Sequence, residues 1–315
     1  MSVYTSVTAD QLKAFLSNYP IGELKAYAGI AEGVENTNYR ITSTSGDYIL
    51  TLFEHFTQAQ IPYYLALLTH LHNDGIPCPQ AITMLKGTQL GTIHHKPAVL
   101  FTFLKGKSPD RANGAELVAL GGAMAKMHIS LGGIDDVDDA PQPHQTAIAS
   151  LQGYFNLLHP DDVNLYQDEL KHQQGIARQQ LPRGLIHGDL FKDNCLINNG
   201  DISGILDFYS ASVDAYIFDI AIAASDWCRD EENELDKDNV NILLKAYQKI
   251  RKLDDNELAL WPDILRLAAF RFWCSRLVEQ LQPRASELNV EKDPAEYKHL
   301  LLHLRDNVRF LRILE

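Results

Sequence analysis

The period of the hydrophobic residues changes near residue 105, and this change limits the folds that the chain can adopt. Short apolar or alternating runs predict strands at 22–31, 36–44, 46–54, 88–94 and 97–104, with an amphipathic helix at 57–73. Helical periodicity then dominates, at 113–131, 146–158, 162–180, 216–229, 237–250, 257–281 and 294–313. A chain of 315 residues, 45% of them hydrophobic, can bury two cores. We therefore predict an α+β bilobal fold, with a small β-sheet N-lobe plus one helix over 1–103 and a larger, mainly helical C-lobe over 104–315.

Short strand-like runs interrupt the helical half between residues 185 and 207 and carry the strongest motif. The sequence HGDLFKDN at 187–194 is followed by ILDF at 205–208. Phosphoryl transfer from ATP needs a carboxylate that accepts the proton of the acceptor hydroxyl, and hard oxygen ligands for Mg²⁺. A loop followed by a hairpin would bring such groups together. The spacing therefore predicts a kinase site with ATP and Mg²⁺ as cofactors, Asp189 as base, and Asn194 and Asp207 as metal ligands.

The same motif follows the pattern HRDLxxxN and DFG of protein kinases, which predicts a protein-kinase-like fold. Gly188 stands where protein kinases have arginine, and Asp-Phe-Tyr replaces Asp-Phe-Gly. Since that arginine normally pairs with an activating phosphosite, its absence favours a constitutively active small-molecule kinase. His187 is predicted to order the loop by hydrogen bonds, and Asp219 to brace it.

The nucleotide-binding candidates lie mostly in the first hundred residues. The loop GIAEGVENTNY, residues 29–39, can turn tightly and offer backbone N–H groups to phosphates, which makes Gly33, Asn36 and Asn38 candidates. The strand that ends near Thr102 and Leu104 can offer a hinge backbone to adenine, with Leu196 beneath the purine. An ordinary hairpin and ordinary strand core are the competing interpretations of these two segments.

The charge balance narrows the class of partner. With 28 Lys and Arg against 41 Asp and Glu, the net charge of −13 disfavours a nucleic-acid partner and suits a small cationic or zwitterionic substrate. The N-terminus has no signal-peptide pattern, and no apolar run is long enough to span a membrane. The four scattered cysteines predict reduced thiols in a cytoplasmic protein. The oligomeric state is expected to be a monomer or a homodimer.

Motifs along nearly the whole chain resemble those of the aminoglycoside/choline-kinase-like phosphotransferases. They include VTADQLKAFL, GIAEGVENTNYRI, YILTLFE, LPRGLIHGDLFKDN, ILDFYSASVDAYIFDIA, SDWC and RFWCSRL. This resemblance implies phosphorylation of the hydroxyl of L-homoserine by ATP, a step towards threonine. One departure is that Thr51 occupies the strand position where protein kinases carry the phosphate-pairing lysine. Arg40 and Lys105 are candidates for the missing charge.

An amino-acid acceptor needs a cation for its carboxylate and an anion or aromatic surface for its ammonium group. Either arginine of RFWCSR could supply a bidentate guanidinium, although both could equally be core residues of a helix. The predicted substrate-binding residues are Tyr209, Asp214, Trp227, Arg271 and Arg276. Asp214 could instead cap the helix that follows it.

Two alternatives stay open on the sequence alone. The first is another small-molecule kinase of the same fold, acting on an amino alcohol, methylthioribose or an aminoglycoside. The second is a non-catalytic nucleotide-binding protein, which Thr51 leaves possible and the set of Asp189, Asn194 and Asp207 disfavours.

Overall fold

An antiparallel sheet of five strands occupies the N-terminal part of the computed structural model, which describes residues 5–30, 36–134, 143–282 and 292–307. Its order is β1-β2-β3-β5-β4, and its strands are β1 (Leu24–Gly29), β2 (Thr37–Ser43), β3 (Asp47–Leu52), β4 (Gly91–Ile93) and β5 (Lys96–Thr102). Two helices accompany it, α1 (Ala9–Leu16) and α2 (Ile61–Asn73). The described residues divide into two compact units, one ending at Lys105 and the other beginning at Gly106.

The N-terminal sheet has a different neighbour on each face. One face buries alternate residues such as Ile41 and Leu50 against Leu12 and Phe15 of α1. The other face carries Phe101, whose ring meets Tyr64 of α2 edge-on at 6.4 Å. Successive side chains of a strand point to opposite faces of the sheet, so alternate residues pack against α1 and α2.

The ends of the two N-terminal helices follow from local chemistry. Thr8 and Gln11 form a capping box at the start of α1. The second helix begins at Ile61, four residues later than predicted, because Pro62 fits the first turn, where its missing N–H is not needed.

Seven α-helices and two antiparallel sheets of two strands each form the described part of the C-terminal unit. The helices are α3 (Gly114–Leu131), α4 (Pro143–Leu151), α5 (Pro160–Gln174), α6 (Tyr216–Trp227), α7 (Lys237–Gln248), α8 (Asp255–Leu281) and α9 (Pro294–Asp306). The strands are β6 (Arg183–Ile186), β7 (Cys195–Asn198), β8 (Asp201–Ile205) and β9 (Ser212–Ala215), with β6 paired to β9 and β7 to β8. This sheet unit followed by a mainly helical one confirms the predicted α+β class.

Two central helices support the interrupted segment. Helix α6 is buried along almost its whole length and packs on α8 and β6, while α3 packs on α7 and β6. Strand β9 was not predicted; it pairs residue by residue with β6, from Arg183 opposite Ala215 to Ile186 opposite Ser212. Helix α5 ends at Gln174, earlier than predicted, where Gly175 follows.

Two further observations concern the cysteines and the length of the apolar helices. Cys78, Cys195, Cys228 and Cys274 are all free and buried, as expected of core thiols. Among the described residues, no helix is long and apolar enough to cross a membrane.

Candidate active site

The loop between β6 and β7 requires a glycine at its second position. Gly188 has φ +77°, in the left-handed region, and a Cβ built on it would lie 2.6 Å from the backbone oxygen of Ser210. A side chain is therefore excluded both by the backbone conformation and by the neighbouring chain. This contact explains why the arginine of the protein-kinase pattern is absent here.

The carboxylate of Asp219 holds the start of this loop. It accepts hydrogen bonds from the N–H of His187 at 3.0 Å and the N–H of Gly188 at 2.8 Å. It also accepts one from Nε2 of His128 at 2.9 Å, and the Nδ1 of His128 lies 2.7 Å from the Tyr247 hydroxyl. Burial raises the pKa of Asp219, but the bond and charge of His128 outweigh it and hold the pKa below its usual value. A charged Asp219 thus fixes two successive backbone groups.

The imidazole of His187 connects the loop to the end of β8. Its Nδ1 accepts from the N–H of Asp189 at 3.2 Å, so its Nε2 carries the proton donated to the carbonyl oxygen of Leu206 at 2.8 Å. Its ring lies 4.6 Å from that of Phe208. Burial lowers the pKa of His187, which keeps the ring neutral. These contacts order the backbone and leave no ring nitrogen for proton transfer.

Asn194 and Asp189 contact each other directly. The amide nitrogen of Asn194 donates to the backbone oxygen of Asp189 at 2.8 Å and to its carboxylate at 3.2 Å. With the nitrogen turned to Asp189, the amide oxygen is the atom that can serve as a metal ligand. The five-residue spacing therefore places the predicted base and the first predicted ligand side by side.

Asp207 stands at the end of the same hairpin. The N–H of Leu206 donates to the backbone oxygen of Asn194 at 2.8 Å, which places Asp207 one residue beyond that contact. Its backbone is left-handed, with φ 58° and ψ 60°, a conformation that aspartate tolerates better than most residues. Such strain is typical of residues whose direction matters for function.

The donor set fits a metal that is shared with a nucleotide. In the described parts of the chain, no three His, Cys, Asp or Glu side chains are grouped so as to hold a metal ion. Mg²⁺ commonly binds to one or two protein oxygens and fills its octahedron with phosphate oxygens and water. One carboxylate from Asp207 and one amide oxygen from Asn194 suit that mode. Their role as ligands stays a prediction.

Three side chains from α6 and α8 bind other backbone groups of the same loop. Asp226 accepts from the N–H of Lys192 at 2.7 Å, and the indole of Trp227 donates to the oxygen of Leu190 at 3.2 Å. Arg271 donates to the oxygen of Gly188 at 2.5 Å. Burial raises the pKa of Asp226 and lowers that of Arg271. The loop is thereby held through its backbone along most of its length.

The structure does not support every predicted substrate contact. Trp227 is buried, with 1% of its surface exposed, so it positions the loop and offers no face to a substrate. Arg276 pairs with Glu296 at 2.5 Å and lies 4.4 Å from the ring centre of Tyr297, so its guanidinium already has a partner. The described contacts of these two residues are structural, and a direct substrate contact stays a prediction. Arg271 is equally buried; it donates to the loop backbone and lies 4.5 Å from the ring centre of Phe272.

Two other predicted substrate residues stay open. Tyr209 is half-buried in the 3₁₀ turn Phe208–Ser210, next to Asp207. Asp214 lies on β9 and accepts from the N–H of Ala215 at 2.7 Å. The N-cap of α6 is Ala215, without a side-chain cap, so the predicted capping by Asp214 is wrong.

The predicted nucleotide-binding residues of the N-terminal unit have structural contacts of their own. Asn36 is buried, and its side-chain oxygen accepts from the N–H of Glu54 at 3.2 Å. The backbone N–H of Thr102 donates to the backbone oxygen of Gln80 at 2.9 Å, and the role of the segment near Thr102 at the adenine edge stays a prediction. Leu104 is half-buried and Gly33 lies outside the described residues. In the C-terminal unit, Leu196 is half-buried on β7.

Thr51, at the strand position where protein kinases carry the phosphate-pairing lysine, belongs to the sheet. Thr51 is buried opposite Asn38 on β2, and its hydroxyl donates to the Asn38 side-chain oxygen at 2.7 Å. Arg40 pairs with Asp47 at 2.6 Å and lies over the ring of Phe103 at 4.6 Å. Arg40 is thus engaged on its own sheet, and its role as the substitute charge stays a prediction.

Comparison with known proteins agrees with this geometry. Residues 26–253 match the family model described as the phosphotransferase enzyme family, APH. The chain belongs to this family. It is 39% identical to a homoserine kinase of Methylobacillus flagellatus over 303 residues, which cover 96% of this chain and 95% of the relative. A homoserine kinase of Neisseria meningitidis is 36% identical, covering 96% of this chain and all of the relative.

Solved structures of other phosphotransferases share the fold. An amicoumacin kinase in complex with AMP-PNP, Ca²⁺ and Ami superposes with a TM-score of 0.69, covering 96% of this chain and 94% of that one at 19% identity. A microcompartment-associated aminopropanol kinase gives 0.68 at 15% identity, with 98% and 99% covered. These likenesses confirm the predicted kinase-like fold.

Sequence reasoning missed several residues that shape the site of this phosphotransferase. His128 and Tyr247 lie 91 and 28 residues from Asp219 along the chain, and no local motif connects them to it. The available signal was a histidine on the apolar face of α3, beside Met124 and Met127, where a buried polar group needs a partner.

Proposed function

We propose that this phosphotransferase transfers the γ-phosphoryl group of ATP to the hydroxyl of L-homoserine, forming O-phospho-L-homoserine and ADP. The observation that carries the proposal is the contact of Asn194 with Asp189 at the end of the hairpin that bears Asp207. Similarity of 36–39% to homoserine kinases over nearly the full chain supports the choice of acceptor.

In the proposed reaction the carboxylate of Asp189 accepts the proton of the acceptor hydroxyl. The hydroxyl oxygen forms a bond to the γ-phosphorus while the bond from that phosphorus to the β,γ-bridging oxygen breaks, and ADP leaves. The amide nitrogen of Asn194, at 3.2 Å, orients the Asp189 carboxylate for this step. Because the transition state of phosphoryl transfer is loose, positioning by the braced loop supplies much of the rate.

Asn194 and Asp207 are the residues that would hold Mg²⁺. When bound, the ion neutralises charge on the phosphate oxygens. The left-handed backbone of Asp207 directs its carboxylate away from the regular course of the strand, which is consistent with a ligand that must point at the phosphates. The four buried free cysteines fit a reducing compartment, so we also propose a cytoplasmic location.

A substrate panel tests the proposal. The purified protein is incubated with ATP, Mg²⁺ and one acceptor at a time: L-homoserine, choline, ethanolamine, methylthioribose or an aminoglycoside. ADP release gives the rate, and mass spectrometry identifies the phosphorylated product. L-Homoserine is expected to have the highest kcat/KM, and the variant Asp189→Asn serves as the inactive control.

The panel separates the alternatives. Faster phosphorylation of choline or an aminoglycoside would reject homoserine as the acceptor but keep the kinase chemistry. Absence of ADP release with every acceptor, together with ATP binding, would support the non-catalytic alternative.

A further inference from the structure

An ion pair in the C-terminal unit lies on the loop that carries the proposed base. The ammonium nitrogen of Lys292 is 3.0 Å from the carboxylate of Asp193, and it lies 5.4 Å from the ring centre of Phe191. The side chains of Lys292 and Asp193 are 40% and 60% exposed. The two charges are therefore paired with each other and partly exposed, so a ligand can reach both of them.

Other charges around the same loop are less available. Arg271 and Arg276 are 6% and 7% exposed and bind the loop backbone and Glu296, respectively. Asp226 is committed to the N–H of Lys192. The pair of Lys292 and Asp193 thus differs from the described charges that hold the loop together.

The position of the pair relative to the proposed base follows from the loop. Asp193 immediately precedes Asn194, whose amide touches the Asp189 carboxylate at 3.2 Å. Burial lowers the pKa of Lys292, but the charges of Asp193 and then Asp189 raise it above the usual value. Lys292 is therefore charged at neutral pH and lies within electrostatic range of Asp189.

The chemistry of the pair matches one part of an amino acid. An α-amino acid carries an ammonium group and a carboxylate on the same carbon, so an adjacent cation and anion can meet both at once. The hydroxyl of homoserine is two carbons beyond that α-carbon. Because Asp193 directly precedes Asn194, the pair lies on the same loop as Asp189.

We propose that Lys292 and Asp193 bind the zwitterionic end of the acceptor, Lys292 its carboxylate and Asp193 its ammonium group. This inference rests on the proposed function and adds its specificity-determining residues. It replaces Arg276, which the sequence suggested for the carboxylate and which the structure pairs with Glu296. When the substrate binds, Lys292 and Asp193 lose part of their contact with each other, and each pairs with the opposite charge of the substrate.

Truncated substrates separate recognition from a structural role. The aminopropanol used here, 3-amino-1-propanol, is homoserine without its carboxylate, and γ-hydroxybutyrate is homoserine without its ammonium group. Lys292→Met removes the charge and keeps most of the stem, whereas Lys292→Arg keeps the charge. Lys298→Met is the matched control, because Lys298 is also on the α9 segment and pairs with Asp162 at 2.6 Å.

Lys292→Met should raise KM for L-homoserine about 10–100-fold, the range expected for one charge-assisted contact. It should leave kcat/KM for aminopropanol within about twofold of wild type. Asp193→Asn should likewise raise KM for L-homoserine and leave kcat/KM for γ-hydroxybutyrate close to the wild-type value. Lys292→Arg should restore most of the affinity, and Lys298→Met should match the wild type. If a truncated compound is not turned over, its inhibition constant against homoserine replaces kcat/KM.

Two results would overturn the inference. One is a homoserine KM within about twofold of wild type in Lys292→Met. The other is an equal loss for homoserine and aminopropanol in that variant, which would indicate a purely structural ion pair. Failure of the proposed function looks different, since the wild type would then not phosphorylate L-homoserine at all.

Discussion

Replacing Gly188 by alanine tests how closely catalysis depends on the loop backbone. The left-handed conformation of Gly188 should strain alanine by roughly 1–2 kcal/mol. The new Cβ would also lie 2.6 Å from the backbone oxygen of Ser210, whereas ordinary contact begins at 3.4 Å. Because that oxygen belongs to the backbone, one of the two segments must move by about 0.8 Å, and a shift of that size can lower a rate about 10²-fold.

Gly200 provides a matched control in the turn between β7 and β8. Its φ is +86°, but a Cβ there would meet nothing within 4 Å, so Gly200→Ala introduces the strain without the collision. In urea denaturation, the free energy of unfolding should fall by about 1 kcal/mol in Gly200→Ala and by about 3 kcal/mol in Gly188→Ala. The loss is larger in Gly188→Ala because the new Cβ also collides with the neighbouring backbone.

Steady-state kinetics with ATP and L-homoserine gives the decisive comparison. Gly200→Ala should keep wild-type kcat, while Gly188→Ala should lose about 10²-fold, since the displaced segment carries Asp189 or leads back to Asp207. A folded Gly188→Ala variant with kcat within about threefold of wild type would refute the reasoning.

Three other predictions follow from the same site. Asp189→Asn should lower kcat by about 10²–10⁴-fold with nearly unchanged ATP affinity by calorimetry, and a variant within about twofold of wild type would remove Asp189 from the mechanism. Tyr247→Phe removes the hydroxyl next to His128 and should cost about 1 kcal/mol in urea denaturation; an unchanged midpoint would mean that this contact is not stabilising. Because burial lowers the pKa of His187 below its ordinary 6.5, the unfolded chain takes up that proton first as pH falls. The free energy of unfolding should therefore decrease below about pH 6.5, less steeply in His187→Gln, and equal slopes would contradict the assignment.

The parts of the fold with a clear period were predictable from the sequence. Helix α3 and strands β2 and β3 lie within two residues of the predicted bounds, because their periodicity is long or their turn is marked by Gly46. Strand β9 was missed because its four residues gain their strand conformation only from pairing with β6. The positions of Asp189 and Asn194 in one loop follow from their short spacing.

Contacts between distant residues could not be predicted in the same way. The pairing of Arg276 with Glu296 joins two helices and two residues that lie 20 positions apart along the chain. The Asn38–Thr51 contact required the register of β2 with β3, and the periodicity of a single strand does not contain that register. Pairing partners of buried charges are decided by tertiary packing.

The catalytic loop is held by its peptide groups. Asp219, Arg271 and Trp227 bind backbone N–H or C=O groups, and these groups are the same whatever side chain stands at a position. If Asp193 binds the acceptor as proposed, a substitution there would change acceptor recognition while the backbone contacts of the loop that carries Asp189 are retained. A loop held through its peptide groups can keep its course when its exposed side chains change. Kinases for amicoumacin and for aminopropanol share this fold at under 20% identity to the present chain.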